Sequence, residues 1–377
     1  MSKNLREAIK NAKRIVVKVG TSSITYPNGK RNFGQIDRLA RDISNLQNMG
    51  KEMILVSSGA VAVGVDRLGL PAKPTSIPAK QACAAVGQGV LMHTYEQIFA
   101  DYGQIVAQVL ITKTESIDRN RYTNSRNTFM ELLKQRVIPI VNENDVVALE
   151  ELKIGDNDNM SALVAGIVDA DLVIILSDIE GLYTANPQTH PDAVLVPEVL
   201  EITPEIEASA GGVGSSRGTG GMYTKIQAAK AATSSGIDLI IASGAEKDVV
   251  TRVASGENLG TLFVSRENRL QFRKRWLAFG ARILGSIIVD AGCSKAIRKQ
   301  GGCSILPAGI TEVTGQFLPG STISVVDMEG HELARGLTHY SSEELAQIKG
   351  CKSQDIENIL GHKQYDEVIH RDDLVIL

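Results

Sequence analysis

Cysteine is scarce. Four residues, Cys83, Cys293, Cys303 and Cys351, are scattered through 377 positions with no C-x-x-C pair. That excludes a disulfide-built scaffold and reads as free thiols in a reducing compartment. An excess of one charge is missing too: 40 basic residues face 43 acidic ones, a net of -3. Such a balance gives no bulk attraction to nucleic acid or to an anionic membrane. No apolar run reaches the length of a bilayer span; the richest, around Leu163 to Leu176, is broken by Asp169 and Asp171. Met1 to Arg14 is polar and carries no signal-peptide core. The first strand-like run leads into Gly20-Thr-Ser-Ser23 and not G-x-G-x-x-G, and no G-x-x-x-x-G-K-[ST] loop occurs. A dinucleotide-binding fold is thereby set aside. The expectation is a cytoplasmic globular protein of two or three domains.

What the chain does have is alternation. Arg14 to Gly20 reads as a buried β-branched strand, and Gln35 to Met49 as a helix closed by Gly50. Met53–Val56, Gln104–Ile111, Ile138–Val141, Leu172–Leu176, Asp238–Ala242 and Gly260–Val264 read as further strands. Helical stretches lie between them, among them Val61–Leu68, Ala79–Ala100, Tyr122–Gln135, Met160–Val168 and Met222–Ser235. Residues 1–265 are thus predicted to form an α/β domain, a mainly parallel sheet sandwiched by helices. Its polar loops fall at the carboxyl ends of strands, where open α/β sheets bind ligands.

Polar residues are concentrated at those ends. Lys18 sits two residues before Gly20 in an otherwise apolar strand, and lysine is rarely buried unpaired. Ser57-Ser58-Gly59-Ala60 opens a helix, a setting that suits an anion. Glu143, Asp145, Asp156 and Asp158 lie in two clusters, and such carboxylates repel unless cations sit among them. Ser177-Asp178 is a polar turn suited to a base or ribose. Gly211 to Gly221 is glycine-dense and runs into Met222-Tyr-Thr-Lys225, a recipe for phosphate binding at a helix start. Each feature alone also has an ordinary reading: helix caps, a snorkelling lysine, a tight turn, a mobile loop. Together, two lysines, an aspartate and backbone donors suffice for phosphoryl transfer, which needs positioning and charge neutralisation more than covalent chemistry.

The motifs Val17-Lys-Val-Gly-Thr-Ser22, Val56-Ser-Ser-Gly-Ala60, Asn142-Glu-Asn-Asp145, Gly155-Asp-Asn-Asp-Asn159, Ser177-Asp178 with Gly181-Leu-Tyr183, and Gly218-Thr-Gly-Gly-Met222 to Lys225 resemble the amino acid kinase superfamily, in particular its glutamate 5-kinase branch. The resemblance implies ATP-dependent phosphorylation of the γ-carboxylate of L-glutamate to L-glutamyl 5-phosphate, the first step of proline biosynthesis. It implies Lys18, Asp158 and Lys225 as catalytic residues, with Asp158 holding both lysines. It implies glutamate binding by Ser58, Asp145 and Asn157, with Asp145 facing the ammonium. Nucleotide contacts fall on Lys18, Ser177, Asp178, Thr219, Gly220, Gly221, Met222, Tyr223, Thr224 and Lys225. Mg²⁺ is expected, carried by nucleotide phosphates and water, with no protein ligand named. The family likeness further implies a homo-oligomer with proline as feedback inhibitor.

Residues 266–282 read as a basic linker. From there the texture changes to short strands and turns, including Ser304–Gly309, Glu312–Gly315, Thr322–Asp327 and Glu332–Gly336. Residues 283–361 resemble a PUA domain, a small β-barrel, and 362–377 read as a C-terminal tail. Between Ala281 and Gly361 nine acidic residues outnumber seven basic ones, a poor match to RNA. A regulatory or assembly role is therefore expected in its place.

Overall fold

Six residues, Arg14–Val19, form the strand around which the N-terminal part of the chain is assembled. In the computed structural model, residues 5–112, 119–148, 157–187, 189–210, 221–265, 283–298, 303–363 and 365–377 are described. The chain divides into two units, Met1–Arg266 and Glu267–Leu377.

In the first unit the strands are β1 (Arg14–Val19), β2 (Glu52–Ser57), β3 (Val106–Ile111), β4 (Ile138–Glu143), β5 (Leu172–Ser177), β6 (Glu198–Val199), β7 (Asp238–Ser243) and β8 (Thr261–Phe263). Their order in the sheet is β3-β4-β2-β1-β5-β7-β8-β6. Neighbours run parallel except β7 and β8. The principal helices are α1 (Phe33–Asn48), α2 (Ala60–Arg67), α3 (Ile77–Asp101), α4 (Arg119–Lys134), α5 (Asn157–Val168), α6 (Met222–Ser234) and α7 (Val249–Ala254). In α1 the apolar residues Ile36, Leu39, Ile43 and Leu46 recur at helical spacing. Asn32 caps it by accepting from the Gln35 N–H, and Gly50, at φ +90°, ends it.

Alternation along β1 splits the core in two. Ile15, Val17 and Val19 pack with residues of α1, α3 and α7 on one face of the sheet. Val16 packs on the other, with residues of α4, α5 and α6. The two-residue period puts Lys18 on the Val16 side. It stands in register with Val56 of β2 and Ile175 of β5, both fully buried.

One boundary differs from expectation. Helix α5 starts at Asn157 and not at Met160, so Asn157 and Asp158 occupy its first turn. Apolar periodicity marks the buried stripe and misses a polar first turn, where carboxylates are favoured by the helix dipole.

The second unit has its own core, including Ile287, Val289, Ile323, Val325 and Ile369. Its sheet runs β10-β9-β11-β12-β13, from β9 (Gly285–Val289), β10 (Ile310–Gly315), β11 (Thr322–Val326), β12 (Glu332–Leu337) and β13 (Leu374–Ile376). The strand expected at Ser304–Gly309 is instead a single bridge, Ile305 to Ile369, followed by a 3₁₀ turn, Pro307–Gly309. Pro307 has no N–H to give a ladder. Nor is 362–377 a tail: β13 pairs antiparallel with β12, and Val368 and Ile369 are fully buried. Short Val/Ile runs beyond a helix-stopping glycine carry little sequence signal. The basic stretch 266–282 lies outside the described residues.

Candidate active site

Lys18, Asp158 and Lys225 meet. The Lys18 ammonium lies 2.6 Å from Asp158 Oδ1, and that of Lys225 lies 3.1 Å from Oδ2. Exposure is 4% for Lys18, 0% for Asp158 and 5% for Lys225, so all three are enclosed. Each comes from a different element. Lys18 arrives near the carboxyl end of β1, Asp158 from the first turn of α5 and Lys225 from the first turn of α6. Thr224 Oγ1 lies 3.1 Å from Asp158 Oδ2 and 2.8 Å from the Gly221 carbonyl oxygen, two acceptors that share its one proton. Two ammonium groups on one carboxylate leave a net positive charge. Two helix N-termini, with their partial positive ends, add to it. A polyanion such as a triphosphate complements this arrangement.

Beside it lies a neutral polar network. Asn157, next to Asp158, donates from Nδ2 to the Ser57 carbonyl at 2.7 Å, to Ser58 Oγ at 2.8 Å and to Asn142 Oδ1 at 3.0 Å. Asn142 in turn donates to Gln88 Oε1 at 2.9 Å. Ser57 shares a 2.8 Å hydrogen bond with Tyr95, whose phenol is pushed well above its ordinary value by burial and stays neutral. Gln88 and Tyr95 both come from α3. Ser58 and the half-buried Gly59 lead into α2, and Gly59 stands at φ +99°, a conformation that favours glycine. Helix α2 is pressed backbone to backbone on α3. A Cβ on Gly64 would sit 1.9 Å from the Cys83 carbonyl oxygen, and one on Gly87 1.8 Å from that of Ala60. The turn carrying Ser58 is thus anchored to the same helix that supplies Gln88 and Tyr95. Asp145 lies half-buried in the turn that follows β4.

At the end of β5, Ser177 is buried and donates through Oγ to the exposed Asp178 at 3.1 Å. Gly221 precedes α6; Met222 is half-buried and Tyr223 is 50% exposed in its first turn. Thr219 and Gly220, with the rest of the glycine-dense loop, lie outside the described residues. The site residues that sequence reasoning missed are Gln88, Tyr95 and the hydroxyl contact of Thr224 to Asp158. A glutamine between two glycines in a long helix carries no signal of an inward role.

A model of the amino acid kinase family matches residues 13–243, and one of the PUA domain matches 285–360. The chain belongs to the amino acid kinase family. Within it, the chain is 54% identical to the glutamate 5-kinase of Moorella thermoacetica, over 99% of this chain and 98% of the relative. It is 52% identical to the glutamate 5-kinase of Caldanaerobacter subterraneus subsp. tengcongensis, over 97% and 98% of the two chains. To that of Carboxydothermus hydrogenoformans it is 50% identical, over 99% and 100%. The first unit is therefore an amino acid kinase domain and the second carries a PUA domain. No helix among the described residues is long and apolar enough to cross a membrane.

Proposed function

We infer that this chain transfers the γ-phosphoryl group of ATP to the γ-carboxylate of L-glutamate, releasing ADP and L-glutamyl 5-phosphate, the first step of proline biosynthesis. The observation that carries the reading is the buried Asp158 carboxylate bridging Lys18 and Lys225. In the reaction a carboxylate oxygen of glutamate attacks the γ-phosphorus, and the bond to the β–γ bridging oxygen breaks. The acceptor is already ionised at neutral pH, so no general base is required. Lys18 bridges the donor phosphates and Lys225 offsets charge on the phosphoryl group in flight. Asp158 keeps the two ammonium groups at a fixed spacing, and Thr224 steadies it. Prealigned charges of this kind are each worth roughly 10²–10³ in rate.

Ser58, Asp145 and Asn157 take glutamate, with the Asp145 carboxylate on its ammonium. Ser177, Asp178 and the segment Thr219 to Lys225 take the nucleotide. Mg²⁺ would be held mainly by the nucleotide phosphates and water, and would offset charge on the donor phosphates. Both Asp158 oxygens face lysine ammonium groups, and no protein ligand for the metal is assigned. A cytoplasmic homo-oligomer inhibited by proline, with a PUA domain that does not bind RNA, completes the reading.

The test follows ADP release with and without L-glutamate, trapping the labile acyl phosphate with hydroxylamine. Glutamate-dependent release with hydroxamate formation is expected. Better turnover of aspartate or UMP would overturn the substrate assignment.

A further inference from the structure

We propose that Gln88 is a positioning residue for the amino acid substrate: through Asn142 it holds Asn157 with its side-chain oxygen presented to the substrate's ammonium. The proposal rests on the glutamate reading above.

The polarity of the network is fixed by backbone groups at two points. The Glu143 N–H donates to the Asn142 side chain at 2.9 Å, and a backbone N–H can only donate. The Asn142 oxygen therefore lies on that side, and its nitrogen faces Gln88, 2.9 Å from Oε1. At the other point the Ser57 carbonyl can only accept, so the Asn157 atom 2.7 Å away is the nitrogen. Three amides thus run head to tail. The Gln88 oxygen takes the Asn142 N–H, and the Asn142 oxygen takes the Asn157 N–H.

This leaves a directed end. The Asn157 NH₂ has two hydrogens and three acceptors, the Ser57 carbonyl, Ser58 Oγ and Asn142 Oδ1, so its donor capacity is spent within the protein. Its Oδ1 receives no hydrogen bond from any described residue and is the group that the amide can offer to a ligand. Ser58 Oγ, accepting from Asn157, keeps its own proton for an acceptor. A ligand that brings a cationic donor beside a carboxylate matches both, which is the head of an α-amino acid. Gln88 reinforces this polarity, because its oxygen gives the Asn142 NH₂ an acceptor and keeps the Asn142 oxygen turned to Asn157. The adjacent Asp158 is held by its own lysines, so loosening the relay affects amino acid binding more than phosphoryl transfer.

The experiment measures steady-state kinetics of Gln88→Met and Gln88→Glu in the full chain. Methionine keeps the length and removes the acceptor; glutamate keeps an acceptor oxygen. Gln88→Met is expected to raise KM for L-glutamate about tenfold, one hydrogen bond's worth, with kcat and KM for ATP little changed. Gln88→Glu is expected to recover most of that loss. An unchanged KM in Gln88→Met, an equal rise in both variants, or a joint shift of kcat and both KM values would overturn the relay. If Gln88→Met does not fold, Gln88→Lys against Gln88→Glu poses the same question, since lysine sets a donor against the Asn142 nitrogen. Equal KM values in that pair would also overturn it. Absence of glutamate-dependent ADP release from the unsubstituted protein would sink the functional reading instead.

Discussion

Replacing Asp158 by asparagine removes one charge and almost no volume. In the intact protein its two oxygens lie 2.6 and 3.1 Å from the ammonium groups of Lys18 and Lys225. At an effective dielectric constant near 20, those pairs are worth about 6 and about 5 kcal/mol of gross attraction. Desolvation of three enclosed charges offsets much of this, so the net worth of the cluster is far smaller. Removing the aspartate is another matter. It takes from two enclosed ammonium groups the one carboxylate that both of them touch, a loss that typically costs about 3–5 kcal/mol. A denaturant melt without nucleotide should therefore show Asp158→Asn less stable by about 3–5 kcal/mol. Added ATP should stabilise the variant more than the unsubstituted protein, because the triphosphate supplies the missing anion. Turnover should fall by roughly 10³ or more, since the spacing of both lysines is lost. A folded Asp158→Asn enzyme within tenfold of the normal kcat would refute the reasoning: the aspartate would then be a structural anchor that does not align the lysines.

Asp145→Ala is expected to raise KM for L-glutamate by about 10–100-fold, the worth of one charge-assisted hydrogen bond, while KM for ATP stays put; an unchanged glutamate KM would remove it as the ammonium partner. Asp42, on α1, accepts from the Val250 N–H at the start of α7, and burial raises its carboxyl above the ordinary 3.8, with Asp248 adding to the rise. The folded state then holds the proton more tightly than the unfolded one, so the contribution of Asp42 to stability falls as pH rises above 3.8. Asp42→Asn keeps an acceptor and cannot ionise. Its melting temperature relative to the unsubstituted protein should climb from pH 3.5 towards neutrality, and a difference that shrinks would contradict the sign. Burial, with Cys303 and Asp290 close by, pushes the Cys293 thiol up to about 12. At pH 8 only about one part in 10⁴ is thiolate, so iodoacetamide should spare Cys293 in the native protein and label it after unfolding, as read by peptide mass. Rapid native labelling would contradict the burial.

Much of this protein was legible in one dimension. β-Branched runs ending in small or polar tips gave the strands of the first unit apart from β6, and drew attention to the polar residues at their ends. Lys18 stood out because a lysine inside an apolar strand must find a partner. The glycine-dense run before Lys225 and the carboxylates before α5 stood out through local chemistry at helix starts. These signals are short-range: side-chain period, turn preference and capping act within a few residues.

Other features depended on residues far apart in the chain. The sheet order sets β1 between β2 and β5, and only that places the β1 lysine beside the first turn of α5. The start of α5 at Asn157, the strand formed by Leu374–Ile376, and the reversal of β8 came from packing and pairing that local pattern does not encode. Gln88 and Tyr95 belong to the same group. A polar side chain turned inward to a strand end reads, in sequence, like one turned out to water. Its partner is chosen when α3 docks on the sheet, held there by the glycine contact with α2. Sequence determined which groups could do chemistry; tertiary packing determined which of them touch, because contact at 3 Å is a property of the assembled layers and not of any one segment.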